Sequence, residues 1–412
     1  MEHVYVIALM CLGVTTVTML QGAILGTALP LVVRDFGIDY DLMGYLFAFW
    51  VIVSAVASFA LSGLTRRLTV VKALVFTLAN LSLSNILTAI SWNLTVLNIA
   101  RIWGALVAPF IWPLCAMLVT AYAGGRLGFV TAVYSMGSMH GLVLSYVLLA
   151  LASENWRLAT LVTGLLGLAH LCPLLVVLRS YSSFSGGAGV GGVETAENRG
   201  ETSGLSEHLH WIIIFLSLGH FAAIYSWNFA MSWLSTFLTR DLGLSYSLIA
   251  VYMILVTAVA SVWELFNGRY IDRASGVERK LRVLYAGMVP SALLLLLTLL
   301  APSPHVAAWL VSASLLFWRS ATPVLWSILG DLVPLSQLSR ASSAYMVAVF
   351  LSGITSSVIT GYFIATTGTV KHAILLSSLV LLLSPLSYTL AARGASPLRR
   401  TLEQAEQGIR ST

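Results

Sequence analysis

The sequence predicts an all-α integral membrane protein: twelve transmembrane helices arranged as two six-helix bundles related by duplication. Three observations predict it. The first is composition, with 58% of the 412 residues hydrophobic, only 9% charged, and a mean hydropathy of +0.90. A soluble domain carries about a quarter charged residues. The second is a run of twelve apolar stretches, each near or above the roughly 20 residues a helix needs to span a bilayer. The third is an internal echo. Arg34-Asp35-Phe36-Gly37-Ile38-Asp39-Tyr40 aligns with Arg240-Asp241-Leu242-Gly243-Leu244-Ser245-Tyr246, 206 positions later, and Arg67 meets Arg273 at the same offset. Two matches at one spacing of half the chain length mark a tandem duplication.

The spans fall at about 4–32, 42–64, 70–91, 94–122, 127–152 and 157–178 in the first half. In the second they fall at about 211–238, 245–267, 281–301, 304–330, 340–366 and 372–392. The bundles therefore cover 1–178 and 211–392, with a tail at 393–412. The first run is too long for a cleaved signal peptide and continues as a spanning helix. Between the bundles lie residues 179–210, serines, glycines and charges without an apolar period, which read as a flexible linker. The linker contains a G-x-G-x-x-G match in GGAGVGG, but no strand precedes it and no helical pattern follows, so it carries no nucleotide reading.

Orientation follows from the basic residues. An even number of spans puts both termini and the linker on one side of the membrane. Of the 22 lysines and arginines, that side holds sixteen, including Arg66, Arg67, Arg126, Arg269, Arg273, Arg279, Lys280 and Arg340. Four face the other side (Arg34, Arg157, Arg240 and Lys371), and Arg101 and Arg319 lie inside spans. Basic residues accumulate on the cytoplasmic side, so the termini and linker are expected there, in a plasma-membrane protein. The net charge of +6 then reflects topology and anionic headgroups, with no nucleic-acid patch. Cys11, Cys115 and Cys172 all fall within apolar segments, at no metal spacing, and read as core packing. No cofactor or metal is called for.

The first span carries Thr15, Thr16, Thr18, Gln21 and Thr27. A side-chain amide facing lipid has no partner, so Gln21 is expected to face protein or a cavity. Gly22 and Gly26 form a G-x-x-x-G that permits a close helix neighbour, and Pro30 is placed to end or kink the helix. After the second span comes Ser62-Gly63-Leu64-Thr65-Arg66-Arg67; after the eighth comes Gly268-Arg269-Tyr270-Ile271-Asp272-Arg273.

The second of these loops resembles the G-x-x-x-D-R cytoplasmic loop of the major facilitator superfamily. Twelve spans, a 6+6 duplication, a long central loop and termini on the cytoplasmic side are also similar to that superfamily, over residues 4 to 392. Arg101 and Pro113 in the fourth span and Trp156-Arg157 opening the sixth look like recurring features of its first half. The chain departs from the pattern at Ser62, Arg66 and Thr69 in the first loop. It also lacks, at Gly137–Gly141, the Gly-Pro pair typical of drug/proton antiporters. The resemblance implies that the loop latches the halves on the cytoplasmic side. Physically, Gly268 allows a tight approach to a neighbouring helix, and Asp272 complements a helix N-terminus, placed near Arg126 and Leu127. Arg66, Arg67, Arg273, Glu264, Asp331 and Arg340, all near cytoplasmic ends, are expected to complete the gate.

The seventh span mirrors the first and is rich in polar and aromatic groups: His220, Tyr225, Trp227, Asn228 and Trp233. At the 206 offset Trp227 falls on Gln21 and Asn228 on Gly22, near mid-membrane, where repeat-built transporters bind their solute. Arg319 lies about 15 residues into the tenth span, where snorkelling either way is long; Trp318 offers it a stacking face and Pro323 loosens the backbone beyond it. Arg101 lies roughly 10 Å from the outer end of its span at about 1.5 Å per residue, and both cavity lining and snorkelling suit it. Glu264 reads as a member of the end network, leaving no carboxylate deep in a span. His140, His170 and His220 are then the titratable groups left for proton coupling, each also suited to a plain helix-to-helix hydrogen bond.

The expected function is a secondary active or facilitative transporter working by alternating access, acting as a monomer on a small solute. Arg319 and Arg101, with Gln21, Tyr225, Trp227, Asn228 and Trp318, favour a small organic or inorganic anion. An exporter of an amphipathic or aromatic neutral solute is the alternative, and a non-transporting receptor with this fold a remote one. No carboxylate pair, His-metal spacing or nucleophile elbow points to an enzyme.

Overall fold

A computed structural model describes residues 2–122, 127–181, 203–273, 276–334 and 337–410. Among them every regular element is helical. Eleven helices are long and apolar enough to cross a membrane. They are α1 (Val4–Thr27), α2 (Tyr40–Ser58), α3 (Val70–Ala89), α4 (Leu94–Thr120), α5 (Gly128–Leu151) and α6 (Trp156–Val176), then α7 (Leu209–Asp241), α8 (Tyr246–Ile271), α9 (Val277–Leu300), α11 (Arg340–Thr367) and α12 (Lys371–Ala395). The remaining span, α10, is two helices in series, Pro304–Ser320 and Thr322–Leu332. Its break at Ala321 has Pro323 in the first turn of the second piece, where a missing N–H costs nothing. The predicted linker lies largely outside the described residues, at 182–202. The helix that forms α12 continues to Arg410, well past the predicted end of the last span.

The duplication is visible as repeated chemistry. Gly37 and Gly243, 206 positions apart, both end a helix at positive φ (61° and 69°), a conformation in which a Cβ is unfavourable. The aspartates before them do the same work. Asp35 accepts from Trp156 Nε1 (3.1 Å) and Arg157 Nη2 (2.9 Å), tying the short helix Leu29–Phe36 that follows α1 to the start of α6. Asp241 accepts from Thr369 Oγ1 (2.6 Å) and the Val370 N–H (2.8 Å), tying the end of α7 to the start of α12. In each half the acidic residue sits at the start of another helix, taking side-chain donors at α6 in the first half and a backbone N–H at α12 in the second.

Among the described residues, the main contacts, or seams, between the halves are α1 against α7, α2 against α11 and α5 against α8. At the face opposite the chain termini, here the far face, the first seam is closed backbone to backbone. A Cβ on Gly26 would lie 2.4 Å from the Met231 carbonyl. Tyr246 Oη donates to the Thr27 carbonyl (3.1 Å), as does Ser235 Oγ. Of the predicted G-x-x-x-G pair, Gly26 thus makes the contact, while a Cβ at Gly22 would meet no other element within 4 Å. One apolar core runs through this closure, with Leu25, Leu29 and Met43 packed with Phe229, Trp233 and Phe237. At about 25 cal/mol per Å² of apolar surface, such burial is what holds the two halves in register.

Candidate functional site

Two arginines lie within the spans, in opposite circumstances. Arg101 stands two turns into α4, a helix begun by Asn93, whose side chain accepts from the Val96 N–H. Its guanidinium lies over the Trp50 ring at 5.4 Å, and Trp50 is fixed by a 3.2 Å bond from its Nε1 to Asn98. Nε and Nη1 of Arg101 are buried with no hydrogen-bond partner. The planar guanidinium carries five donors, so this group is short of acceptors. Trp50 meets Phe47 edge-on (5.2 Å), and Phe47 meets Trp233 of α7 (5.8 Å), an aromatic path from one half to the other.

Arg319 corrects the sequence reading. It ends the first piece of α10, 3% exposed, and its Nη2 donates to both carboxylate oxygens of Glu264 at 2.7 and 2.9 Å. Glu264, expected at the membrane edge, is 1% exposed inside α8. A carboxylate therefore does lie within a span, and the deep arginine is already neutralised. Both charges also reach across to the other half. Arg319 Nη2 donates to the Ser135 carbonyl (2.8 Å), and Ser135 Oγ donates to Glu264. Desolvated charges persist only when paired and hydrogen-bonded, and linear sequence gave no sign that α8 and α10 bring these two together. Trp318 and Trp227 stack on each other at 4.9 Å beside the guanidinium, and Trp318 Nε1 holds the Ala223 carbonyl. They flank a cavity of about 20 Å³ shared with Ser226, Ser314 and Leu381, room for about one water.

The other predicted residues divide. Gln21 is a second correction: it is fully buried within the first half, its Nε2 donating to Ser82 Oγ (2.9 Å) and the Thr163 carbonyl (3.2 Å). Those bonds knit α1 to α3 and α6 and turn the amide away from the second half. Asn228 donates to Ser352 Oγ (3.0 Å), and a Cβ on Gly353 would lie 3.4 Å from its Nδ2 and 3.2 Å from Val51, so it borders the α2–α11 seam. Tyr225 is buried with its hydroxyl unpartnered. His220 stacks on Tyr345 (4.3 Å) within the second half, and His170 fills the space beside Gly13. His140 alone of the three crosses a seam, bonding Ser261 Oγ at 2.9 Å.

Of the end-face residues, Gly268 sits against α5: a Cβ there would lie 2.9 Å from the Gly128 carbonyl and 2.8 Å from Ala132 Cβ. Arg269 lies over Phe129. Asp331 pairs with Lys280 (2.6 Å) and Arg340 with His210 (2.7 Å), both inside the second half. Arg66 and Arg67 end a short helix, Leu61–Arg67, and are exposed. The side chains of Asp272 and Arg273, and all of Arg126, lie outside the described residues. Ser135, Ser261 and Trp50 went unmarked in the sequence, since serines and tryptophans in an apolar span carry no distinguishing pattern.

A family model described as Major Facilitator Superfamily matches residues 11–356 and, overlapping it, 216–411. No curated protein sequence matches the chain. Among solved structures, two of a bacterial homologue of the human lysosomal transporter Spinster, both inward-facing, superpose over 95% of this chain and 97% of theirs. The unoccupied form gives a TM-score of 0.68 at 15% identity, and the occupied form 0.69 at 14%.

Proposed function

As the chain belongs to the major facilitator superfamily, we propose that this membrane transporter, working by alternating access, carries a small organic or inorganic anion anchored by Arg101. The observation that carries the reading is the guanidinium on Trp50 with two buried nitrogens lacking acceptors. A planar carboxylate or oxyanion supplies paired acceptors to such a fork, which a lysine cannot match. Arg319 serves a different role here, because Glu264 already satisfies its charge. Arg101 belongs to the first half and its aromatic neighbours lead to α7 of the second, so a bound solute would feel both halves. One chain supplies both walls, which suits a monomer; the basic asymmetry supports cytoplasmic termini, and the reading is of a plasma-membrane protein.

The test is a thermal-shift screen of purified protein against small anions and neutral aromatic solutes, run on native protein and Arg101→Gln. An anion should stabilise the native protein and lose its effect in the variant, with Arg101→Lys binding at least about tenfold more weakly. Equal stabilisation of native and Arg101→Gln protein by a neutral aromatic solute, with no anion active, would transfer the reading to the exporter alternative.

A further inference from the structure

We propose that a cavity at the far face, shared between the two halves, is a second binding site, built for a small oxyanion that keeps a hydroxyl, of the hydrogen phosphate kind. The cavity measures about 370 Å³ and is lined by Arg34, Glu154, Thr239, Arg240, Ser245 and Tyr246 among others. That volume is within the range of about 300–1,000 Å³ for small-molecule sites. Neither Arg101 nor Trp50 borders it, so the site goes beyond the solute reading and does not depend on it.

The duplication accounts for the two arginines. Arg34 and Arg240 are the same position of the repeat, 206 apart, one from each half. Arg240 lies over the ring of Tyr40, a first-half residue, at 4.8 Å. Strict symmetry would set Arg34 over Tyr246, which repeats Tyr40. Tyr246 is instead turned to the Thr27 carbonyl and packed near Tyr146 (6.4 Å), and the cavity lies between the groups that this contact would have joined. The neighbouring acids are committed elsewhere, Asp35 to Trp156 and Arg157, Asp241 to Thr369 and Val370. Among the described residues neither Arg34 nor Arg240 is in an ion pair. Two guanidinium groups thus border one open space, and paired N–H donors of this type hold oxyanions.

The third charge sets the selectivity. Glu154 enters from the α5–α6 turn, where Ser153 and Glu154 both hold left-handed backbone conformations, at φ 52° and 62°. Such conformations are unfavourable for residues with a Cβ and concentrate at binding sites. An ionised carboxylate only accepts hydrogen bonds. It therefore repels an oxyanion whose oxygens are all acceptors, and it bonds one that retains an O–H. Phosphate and sulfate are close in size and shape, and at neutral pH only phosphate keeps a hydroxyl. Each half supplies one arginine, so the site is whole while the far face is closed, as Gly26 against Met231 and Tyr246 on Thr27 close it here.

The test is calorimetric titration with inorganic phosphate and with sulfate at pH 7, in phosphatidylcholine nanodiscs, with ionic strength fixed by chloride. Arg101→Gln protein removes any contribution from Arg101, and native protein serves if that variant does not fold. Phosphate should bind at least about tenfold more tightly than sulfate, the cost of setting an acceptor against Glu154. Arg34→Gln and Arg240→Gln, both exposed positions that the fold does not rely on for burial, should each weaken phosphate at least about tenfold. Glu154→Gln should admit sulfate, bringing it within about threefold of phosphate, because the repulsive element is gone. Gly26→Ala lines no part of the cavity but would set a Cβ 2.4 Å from the Met231 carbonyl and force the halves apart, so it should weaken phosphate severalfold, while Gly22→Ala should not. Nanodiscs containing phosphatidic acid separate the two sources of this chemistry: weaker phosphate binding there makes a lipid headgroup the occupant, and unchanged binding makes it a free solute. Phosphate affinity unchanged in Arg34→Gln, sulfate bound as tightly as phosphate with Glu154 in place, or undiminished binding in Gly26→Ala would each overturn the assignment.

Discussion

Replacing Gly268 by alanine tests whether the α5–α8 contact belongs to one conformational state or to the fold as a whole. The added Cβ would stand 2.8 Å from Ala132 Cβ and 2.9 Å from the Gly128 carbonyl. Ordinary contacts begin near 3.5 Å, so the two helices must separate by several tenths of an ångström. Overpacking of this size costs about 1–3 kcal/mol. The atoms concerned lie in different halves, so the cost falls on the state in which the seam is closed and is absent when it opens. Differential cost converts directly into population, which here means about 5- to 150-fold toward the open seam. The assay is oxidative cross-linking of a cysteine pair at Phe129 and Arg269, whose native side chains stack across the seam at 4.7 Å. Gly330→Ala is the control, since a Cβ there would meet no other element within 4 Å and it sits on the same half. Gly268→Ala should slow cross-linking severalfold while Gly330→Ala leaves it unchanged. Equal cross-linking in both variants, with the Gly268→Ala melting temperature lowered, would show that the clash is borne by the fold in every state and that the seam does not open there.

Two further outcomes follow from the sequence asymmetry and from the repeated aspartates. A cysteine at position 187, in a Cys172→Ser background, should resist a membrane-impermeant reagent added outside intact cells; ready labelling would invert the topology. Asp241→Ala should lower thermal stability more than Asp35→Ala. Asp241 satisfies the Val370 N–H at the start of α12, a capping role worth about 0.5–2 kcal/mol, whereas the Asp35–Arg157 pair is 44% and 35% exposed and worth about 0–1 kcal/mol. Equal losses, or the reverse order, would contradict the capping argument.

Much of the architecture was legible in the chain because a bilayer leaves few alternatives. Without water, each span must satisfy its own backbone, so length and hydropathy alone define helices. The duplication could be read because the turn after α1 and α7 needs a glycine at positive φ and an acid beside a helix start, and both copies kept Gly37/Gly243 and Asp35/Asp241. Pro323 likewise announced the break in α10.

The partners of the buried polar groups were another matter. Gln21 had to be satisfied somewhere, which its residue type required, but only packing decided that Ser82 and Thr163 do so inside the first half. Arg319 had to be paired, which its depth required, but its counter-charge lay 55 positions away in a helix whose rotation the sequence left undetermined. Hydropathy is a property of one residue in one solvent and is therefore local. Pairing depends on which face each of twelve apolar helices turns inward, and in spans this uniformly apolar no amphipathic stripe records that choice. The sequence alone determined how many helices cross the membrane and how the two halves repeat. Tertiary structure decided that Arg319 is tied to Glu264 and Ser135 while Arg101 keeps two buried nitrogens free, because only the assembled seams decide which buried charge finds a partner.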